Sequence, residues 1–168
     1  MSQDDLKGKY ALVTGASSGL GRALVIEYAS NGCNIIMVGR SLDKLSNLRN
    51  EINSIYPGDH WIQVCDLSNA DDITNMLDSN FPSVDILVNA AGVFPISKIS
   101  DMSMEEYEQC INVNVTAPFI LIKELSMLAA LQPLPIVHRN MLFWACLDLC
   151  IKNLKNITYE LYVFLQAL

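Results

Sequence analysis

The stretch YALVTGASSGLG, residues 10–21, decides the fold of this chain. An apolar run meets a turn with three glycines, and a helical pattern continues to about Ser30. Glycine lets the backbone of such a turn adopt positive φ and lets a ligand approach closely. The helix that follows offers unpaired N–H groups and the positive end of its dipole, so an anion such as a dinucleotide pyrophosphate can bind there. The alternative interpretation is a tight strand-to-helix turn without a ligand.

The stretch VDILVNAAG, residues 84–92, is another strand candidate that runs into a polar turn. The pair of motifs Thr14-Gly-x-x-x-Gly-x-Gly21 and Asn89-Ala-Ala-Gly92 resembles the signature of the short-chain dehydrogenase/reductase family. The resemblance extends from Leu6 to about Leu125. It implies a Rossmann-like fold, a nicotinamide dinucleotide cofactor, and hydride transfer between a small carbonyl compound and its alcohol.

Apolar runs alternate with helical patterns along the first part of the chain, and this pattern is independent of the family resemblance. They predict strands at about 10–13, 34–38, 61–65 and 84–88, and helices at about 20–30, 42–55, 71–81, 104–110 and 113–130. This α/β order predicts a doubly wound parallel sheet with helices on both faces. Ser41 and Ser103 are predicted helix caps. Leu42, Leu45, Leu48 and Ile52 fall on one apolar helix face.

The amino-acid composition of the chain changes at Leu131. No glycine occurs from Met141 to Leu168, although α/β domains normally turn on glycines. We therefore predict an NAD(P)-binding domain at 1–130 and an atypical apolar tail at 131–168, helical or poorly ordered, that does not complete the sheet. A complete family member would continue through three further strands, so the resemblance implies a truncated Rossmann-like fold.

The resemblance also implies roles for residues at the ends of the predicted strands. Asp66 and Leu67 resemble the pair that holds the adenine ring, although Asp66 is equally plausible as a helix N-cap. Asn89 resembles the residue that ties the central strands together, with Ala90 and Gly92 lining the cofactor. The turn residues assigned to cofactor binding, with the serines as phosphate donors, are Gly15, Ser17, Ser18, Gly19, Leu20 and Gly21.

The residue after the second predicted strand bears on the choice of dinucleotide. Rossmann proteins that prefer NAD place an acid about 20 residues past the glycines, whereas this chain has Gly39 followed by Arg40. An acid there would bind the ribose hydroxyls and repel a 2′-phosphate. Its absence beside a cation favours NADP over NAD, and the alternative is that Arg40 only starts the next helix.

The catalytic residues of the family are matched only in part. Asn114 resembles the family's Asn-x-x-Gly asparagine, which holds a water of the proton relay, but Ala117 stands where glycine is usual. The alternative is a polar residue that satisfies a helix bend. The family also uses a serine and a Tyr-x-x-x-Lys pair, whose lysine lowers the pKa of the tyrosine. No tyrosine here has a lysine four residues later, and no serine follows Ser126.

Composition narrows the function classes further. The 168 residues suit one domain, and a net charge of −7 argues against nucleic acid, whose phosphates require a basic face. The start of the sequence shows no signal-peptide pattern, and the apolar run at 141–151 is too short to span a membrane. Five scattered cysteines without a C-x-x-C pair fit a reducing compartment. These features predict a cytoplasmic protein without a metal site.

Two hypotheses follow. The first is an NADP-dependent oxidoreductase of the short-chain family, acting on a small carbonyl or alcohol. The second is a truncated isoform or gene-model fragment without activity, which binds at most the cofactor, forms a homo-oligomer, or pairs with a full-length paralogue. The missing serine and Tyr-x-x-x-Lys pair favour a catalytically incomplete chain.

Overall fold

The computed structural model describes residues 6–96 and 100–129, which form a parallel sheet flanked by helices. The sheet has the strand order β3-β2-β1-β4. Its strands are β1 (Tyr10–Thr14), β2 (Asn34–Gly39), β3 (Trp61–Val64) and β4 (Ile86–Val88). The helices are α1 (Gly19–Ser30), α2 (Leu42–Ile55), α3 (Ala70–Leu77), α4 (Met104–Ile111) and α5 (Ala117–Ala129).

The two faces of the sheet carry separate hydrophobic cores, as the alternating side chains of a strand require. Ile35 and Met37 of β2 pack in the core that contains α1 and α2. Ile36 and Val38 of the same strand pack in the other core, with α3 and α5. The predicted doubly wound arrangement is therefore confirmed for the part of the sheet that the structure describes.

The predicted caps of two helices are confirmed. The Ser41 hydroxyl accepts a hydrogen bond from the Lys44 N–H at the start of α2. At α4, the Ser103 hydroxyl accepts from the Glu106 N–H, and the Glu106 carboxylate accepts from the Ser103 N–H. This reciprocal capping box satisfies two backbone donors that a helix start otherwise leaves free.

Three predicted positions were wrong in detail. Helix α3 ends at Leu77 rather than 81, because the Ser79 hydroxyl donates to the Met76 carbonyl and closes the helix end. Strand β4 begins at Ile86 rather than 84, because the Asp85 carboxylate accepts the Tyr10 N–H. Leu42, the first residue of α2, is 57% exposed, so the buried face of that helix begins at Leu45.

The helices predicted at 104–110 and 113–130 form one continuous helical run. A π-helical turn at Asn112–Thr116 joins α4 to α5. No helix in the described part of the chain is long and apolar enough to cross a membrane. The predicted tail, residues 131–168, lies outside the described residues.

Candidate functional site

The parallel strands bring four predicted site segments to one edge of the sheet. The glycine-rich turn follows β1, Arg40 follows β2, residues 65–67 follow β3, and residues 89–92 follow β4. Because all strand pairs are parallel, these segments lie at the same carboxyl edge. This is the edge at which doubly wound sheets bind their ligands.

The glycine-rich turn needs its glycines for different reasons. A Cβ on Gly15 (φ +63°) would lie 2.8 Å from the Ala91 Cα, and a Cβ on Gly21 would overlap the Gly15 carbonyl oxygen. Gly19 (φ +51°) has no atom within 4 Å of its Cβ position. The first two glycines therefore allow close backbone packing, whereas Gly19 borders open space that a ligand can enter.

The N-terminus of α1 differs from the other described helix starts that follow it along the sheet. Its N-cap residue, Ser18, is extended, makes no side-chain cap hydrogen bond, and has no acid in the turn after it. Helices α2, α3 and α4 each have a side-chain cap and at least one acid in the first turn. The free N–H groups of α1 therefore face the open space at Gly19 without a competing anion. Beside them Ser17 is half-buried and Leu20 is 49% exposed.

A buried hydroxyl joins the glycine-rich turn to the segment after β4. The Thr14 Oγ1 atom accepts hydrogen bonds from the N–H groups of Ala90 (3.0 Å) and Ala91 (3.1 Å). It also lies 3.4 Å from the Val88 carbonyl oxygen, to which it can donate. Thr14 belongs to the glycine-rich motif, but the sequence predicted no role for its side chain. The available signal was a hydroxyl residue at the carboxyl end of a buried strand, directly before the turn.

The charged groups after β2 and β3 lie close enough to influence each other. The Asp66 Oδ1 atom accepts from the Ser68 N–H (3.0 Å) and the Ser68 hydroxyl (2.8 Å). The Ser68 backbone hydrogen bond is the largest cause that lowers the Asp66 pKa, and the nearby Arg40 guanidinium lowers it further. Arg40 is exposed and makes no hydrogen bond within 6–96 or 100–129. A cation beside an ionised acid therefore borders the site.

The structure contradicts one of the two interpretations of Asp66, that of a helix N-cap. Asn69, not Asp66, caps α3, because the Asn69 side chain accepts from the Asp71 N–H at 2.9 Å. Asp66 instead shapes the turn that leads to the cap. Leu67 is 7% exposed and packs in the core with α3. Its side chain therefore belongs to the hydrophobic core, so a ligand could contact Leu67 mainly through its backbone.

Asn114 lies in the π-helical turn, where its side chain holds the loop after β4. Its Oδ1 atom accepts from the Val93 N–H (2.9 Å), and its Nδ2 atom donates to the Val93 carbonyl (2.8 Å). The same Nδ2 atom lies 3.3 Å from the Cys110 sulfur. The sequence did not predict the role of Val93, because nothing in its apolar side chain indicates that its backbone groups are partners of Asn114. The contacts fix the segment that begins with Asn89 against the helix.

The segment after β4 combines buried and accessible positions. Asn89 is 7% exposed, and its Oδ1 atom has no hydrogen-bond partner within the described chain. Ala90 is half-buried and Gly92 is exposed. Buried polar atoms are normally satisfied, so this carbonyl oxygen is available to a donor from outside the described residues.

The comparisons with known proteins agree with this geometry. The family model described as short chain dehydrogenase matches residues 9–131. A 3-oxoacyl-acyl-carrier-protein reductase of Rickettsia bellii is 35% identical over 120 residues, covering 71% of this chain and 48% of the relative. A glucose 1-dehydrogenase of Gluconobacter oxydans is 33% identical over 125 residues, covering 73% of this chain and 47% of the relative.

A solved structure extends the likeness to three dimensions. The L-sorbose reductase of Gluconobacter frateurii, complexed with NADPH and L-sorbose, has a TM-score of 0.68 and 27% identity. The match covers 72% of this chain and 47% of that chain. The chain thus spans about half the length of the curated relatives and solved structures that it matches.

Proposed function

The chain belongs to the short-chain dehydrogenase family, and from that premise we propose that it binds a nicotinamide dinucleotide at the carboxyl edge of its sheet. The observation that carries the proposal is the uncapped N-terminus of α1 beside the open space at Gly19. A pyrophosphate would neutralise the positive end of the helix and accept its free N–H groups. The glycines then serve to bring the backbone close to that anion.

The residues of the site fit the other parts of such a cofactor. Asp66 and the Leu67 backbone would hold the adenine ring, and Ala90 and Gly92 would line the path of the nucleotide. The Asn89 carbonyl oxygen, unpartnered within the described chain, would accept a donor there. The cofactor, when bound, would supply or accept a hydride for a small carbonyl or alcohol substrate. The chain's own residues bind it, orient it and keep the Val93 loop in place.

We propose NADP rather than NAD as the dinucleotide. Arg40 is exposed and has no hydrogen-bond partner among the described residues, and Gly39 before it supplies no acid. A guanidinium is well suited to a 2′-phosphate because it presents several donors in one plane. Asp66 nearby would oppose a phosphate if it came too close, so the Arg40 charge is required to balance it.

The proposed activity of the family is carbonyl–alcohol oxidoreduction, and we propose that this chain alone does not complete it. The sequence contains no Tyr-x-x-x-Lys pair, and an asparagine such as Asn114 does not titrate near neutral pH. Both polar ends of Asn114 are already bound to Val93. The alternative function is a cofactor-binding chain without activity, or one that pairs with a complete relative that supplies the missing groups.

The cysteines that the structure describes are free thiols, which supports a cytoplasmic location.

Titration of the full chain with NADPH, followed by nicotinamide fluorescence, tests the binding proposal. Gly19→Asp should abolish binding, since it places a carboxylate at a positive-φ position that faces the anion site. Gly8→Asp is the matched control, because Gly8 also has positive φ (+77°) and open space, but precedes β1 at the opposite edge. Equal affinity in the Gly19 and Gly8 variants, or no binding by the parent chain, would refute the site.

A further inference from the structure

Helix α1 ends at Asn31-Gly32, the only asparagine–glycine pair in the sequence. An asparagine in such a pair can lose its amide without an enzyme, because no side chain hinders the backbone nitrogen that follows it. The Gly32 nitrogen attacks the Asn31 Cγ atom, the Cγ–Nδ2 bond breaks, and ammonia leaves with the proton of the Gly32 N–H. Water then opens the five-membered imide at either carbonyl and leaves aspartate or isoaspartate at position 31.

The end of α1 holds the nitrogen that would attack. Gly32 has φ +81°, and its N–H donates to the Ala29 carbonyl at 3.0 Å. The next N–H, that of Cys33, donates to the Tyr28 carbonyl at 3.0 Å. These two bonds form a Schellman motif, in which a glycine with positive φ ends a helix. The nitrogen that would attack Asn31 is therefore one of the two donors that close the helix.

The side chain and backbone of Asn31 are also held in an unreactive arrangement. The Asn31 Nδ2 atom donates to the Glu27 carbonyl at 2.8 Å and lies 3.1 Å from the Glu27 Oε1 atom. A ψ of 13° turns the Gly32 nitrogen toward the Asn31 backbone nitrogen, whereas the five-membered ring requires it on the side of the Asn31 Cβ. The reaction therefore needs a rotation about ψ that breaks the Gly32–Ala29 hydrogen bond.

We propose that Asn31 is a site of spontaneous deamidation and that the Schellman motif at the end of α1 controls its rate. The closed helix end is unreactive, and the reaction passes through a local opening in which the Gly32 N–H leaves the Ala29 carbonyl. Such local openings require less free energy than complete unfolding. Asn31 is half-buried and Gly32 is exposed, so water can reach the imide. The proposal is independent of cofactor binding, because Gly19 lies at the opposite end of α1.

The product weakens the same helix end. Aspartate at position 31 lacks the amide that donates to Glu27, and it places a carboxylate four residues after the Glu27 carboxylate, where like charges repel. The added negative charge also lies at the negative end of the helix dipole. Isoaspartate inserts an extra methylene group into the main chain between α1 and β2. A modified chain therefore opens more readily at this end than the parent chain.

Ageing of the full chain in native buffer and in concentrated guanidinium chloride tests this proposal. Mass spectrometry of the tryptic peptide 23–40, with fragment ions that separate Asn31 from Asn34, gives the rate at Asn31. Two hydrogen bonds must break before the reaction, and each contributes a factor of a few, so we expect deamidation to be about tenfold slower in the native chain. Hydrogen exchange of the Gly32 amide should be slowed by the same factor, because both processes require that N–H to be free.

Ser30→Gly should loosen the helix end without changing either reacting residue. Ser30 is exposed and its hydroxyl donates to the Glu27 carbonyl at 2.8 Å, so the variant removes one bond and adds backbone freedom. We expect native deamidation at Asn31 and exchange at Gly32 to rise together, by about two- to threefold. Ala23→Gly is the matched control, since Ala23 is exposed about two turns earlier in the same helix and should leave both rates unchanged.

The internal comparison is Asn53, an exposed asparagine that precedes Ser54 in α2. In the unfolded chain Asn31 should react faster than Asn53, because a serine side chain hinders the attacking nitrogen. A rate at Asn31 no higher than that at Asn53 would overturn the site. Equal rates at Asn31 in the native and unfolded chains would show that the helix end has no control. Equal acceleration by the two glycine variants would assign the reaction to complete unfolding and would also overturn the proposal.

Discussion

The carboxamide of Asn114 holds both backbone polar groups of Val93, with its oxygen 2.9 Å from the Val93 nitrogen and its nitrogen 2.8 Å from the Val93 oxygen. This pair of hydrogen bonds joins the π-helical turn to the loop after β4. Asn114 therefore has a structural role, whether or not it also has the catalytic role that the family resemblance implies. The same contact connects the π-helical turn to the loop of the candidate site.

Asn114→Ala should lower the free energy of unfolding by about 1–3 kcal/mol, because it leaves two partly buried backbone groups without partners. Asn112→Ala is the matched control, since Asn112 is half-buried in the same turn and makes no side-chain hydrogen bond to described residues. Urea unfolding measures both variants. Faster hydrogen exchange of the Val93 amide in the Asn114 variant alone would locate the effect, and equal destabilisation by the two variants would contradict it.

Thr14→Val should be more damaging than its conservative size suggests. It keeps the shape of the side chain but removes the Oγ1 that accepts from Ala90 and Ala91, and Thr14 is 1% exposed. Two partly buried amides then lose their acceptor, at a cost of about 1–3 kcal/mol for each unsatisfied group. Thr14→Ser retains the hydroxyl and should lose less stability and little NADPH affinity. If both variants unfold at the same urea concentration, the hydroxyl does not hold the two segments together.

The sequence predicted the sheet, its two covered faces and the edge at which the site lies. Those features follow from apolar periodicity and from the order of elements, which are local properties. The sequence did not reveal the Thr14 contact with Ala90 and Ala91, because that contact joins residues more than 70 positions apart. It also missed the early end of α3, where a Ser79 hydroxyl competes with the helix for a carbonyl group.

The site residues divide in the same way. Gly15 and Gly21 were predicted as ligand-binding glycines, and the structure shows that both are also required by backbone packing. Among the three glycines of the turn, only Gly19 borders open space, and the spacing of the motif does not reveal this difference. The cofactor roles of Arg40, Leu67 and the serines remain predictions, because a sequence pattern and an edge position do not measure affinity.

The buried thiols give a prediction with a defined direction in pH. Burial raises the pKa of Cys33 to about 11, with a smaller contribution from Asp85. Burial likewise raises the pKa of Cys65 to about 11, with Asp72 and Asp66 adding to the effect. A free thiol has a pKa of about 8.5, so folding favours the protonated form. The associated stability is complete below about pH 8.5 and is lost as the pH rises through about 11.

Reaction with a disulfide reagent should report this shift. In a Cys146→Ser, Cys150→Ser background, the rates of Cys33 and Cys65 should keep rising about tenfold per pH unit beyond pH 9, since the thiolate is the nucleophile. Cys110, which is half-buried, is the internal comparison. Mass spectrometry of the trapped peptides assigns each rate. Rates at Cys33 and Cys65 that level off near pH 8.5 would show that these thiols are not held in the protonated form.

Arg40→Ala should weaken NADPH binding about tenfold or more and leave NADH binding nearly unchanged, because a charge-assisted contact to the 2′-phosphate exists only with NADPH. Arg49→Ala is the matched control, since it removes one positive charge from α2 and changes the net charge of the chain by the same amount. Fluorescence titrations at one fixed salt concentration provide the four affinities. An equal loss with both nucleotides, or tighter NADH binding by the parent chain, would reverse the proposed preference.

The last prediction concerns turnover. Reduction of a ketone places negative charge on the carbonyl oxygen, and a donor must supply a proton or strong hydrogen bonds there. General acid catalysis contributes roughly 10²- to 10⁴-fold, and donors aimed at the developing oxyanion contribute on a similar scale. The chain has no Tyr-x-x-x-Lys pair, and the Asn114 carboxamide is engaged by Val93. We therefore expect no NADPH oxidation above background with diketones, quinones or 3-oxoacyl thioesters.

The control for that assay is the same preparation carrying Gly19→Asp, which should remove the cofactor and any activity that depends on it. Contaminating reductases would give turnover that Gly19→Asp does not change. Turnover that survives repurification and disappears in the Gly19→Asp chain would show that the chain is a complete enzyme. The catalytic donor would then have to be a group other than the tyrosine of a Tyr-x-x-x-Lys pair, because the sequence contains no such pair.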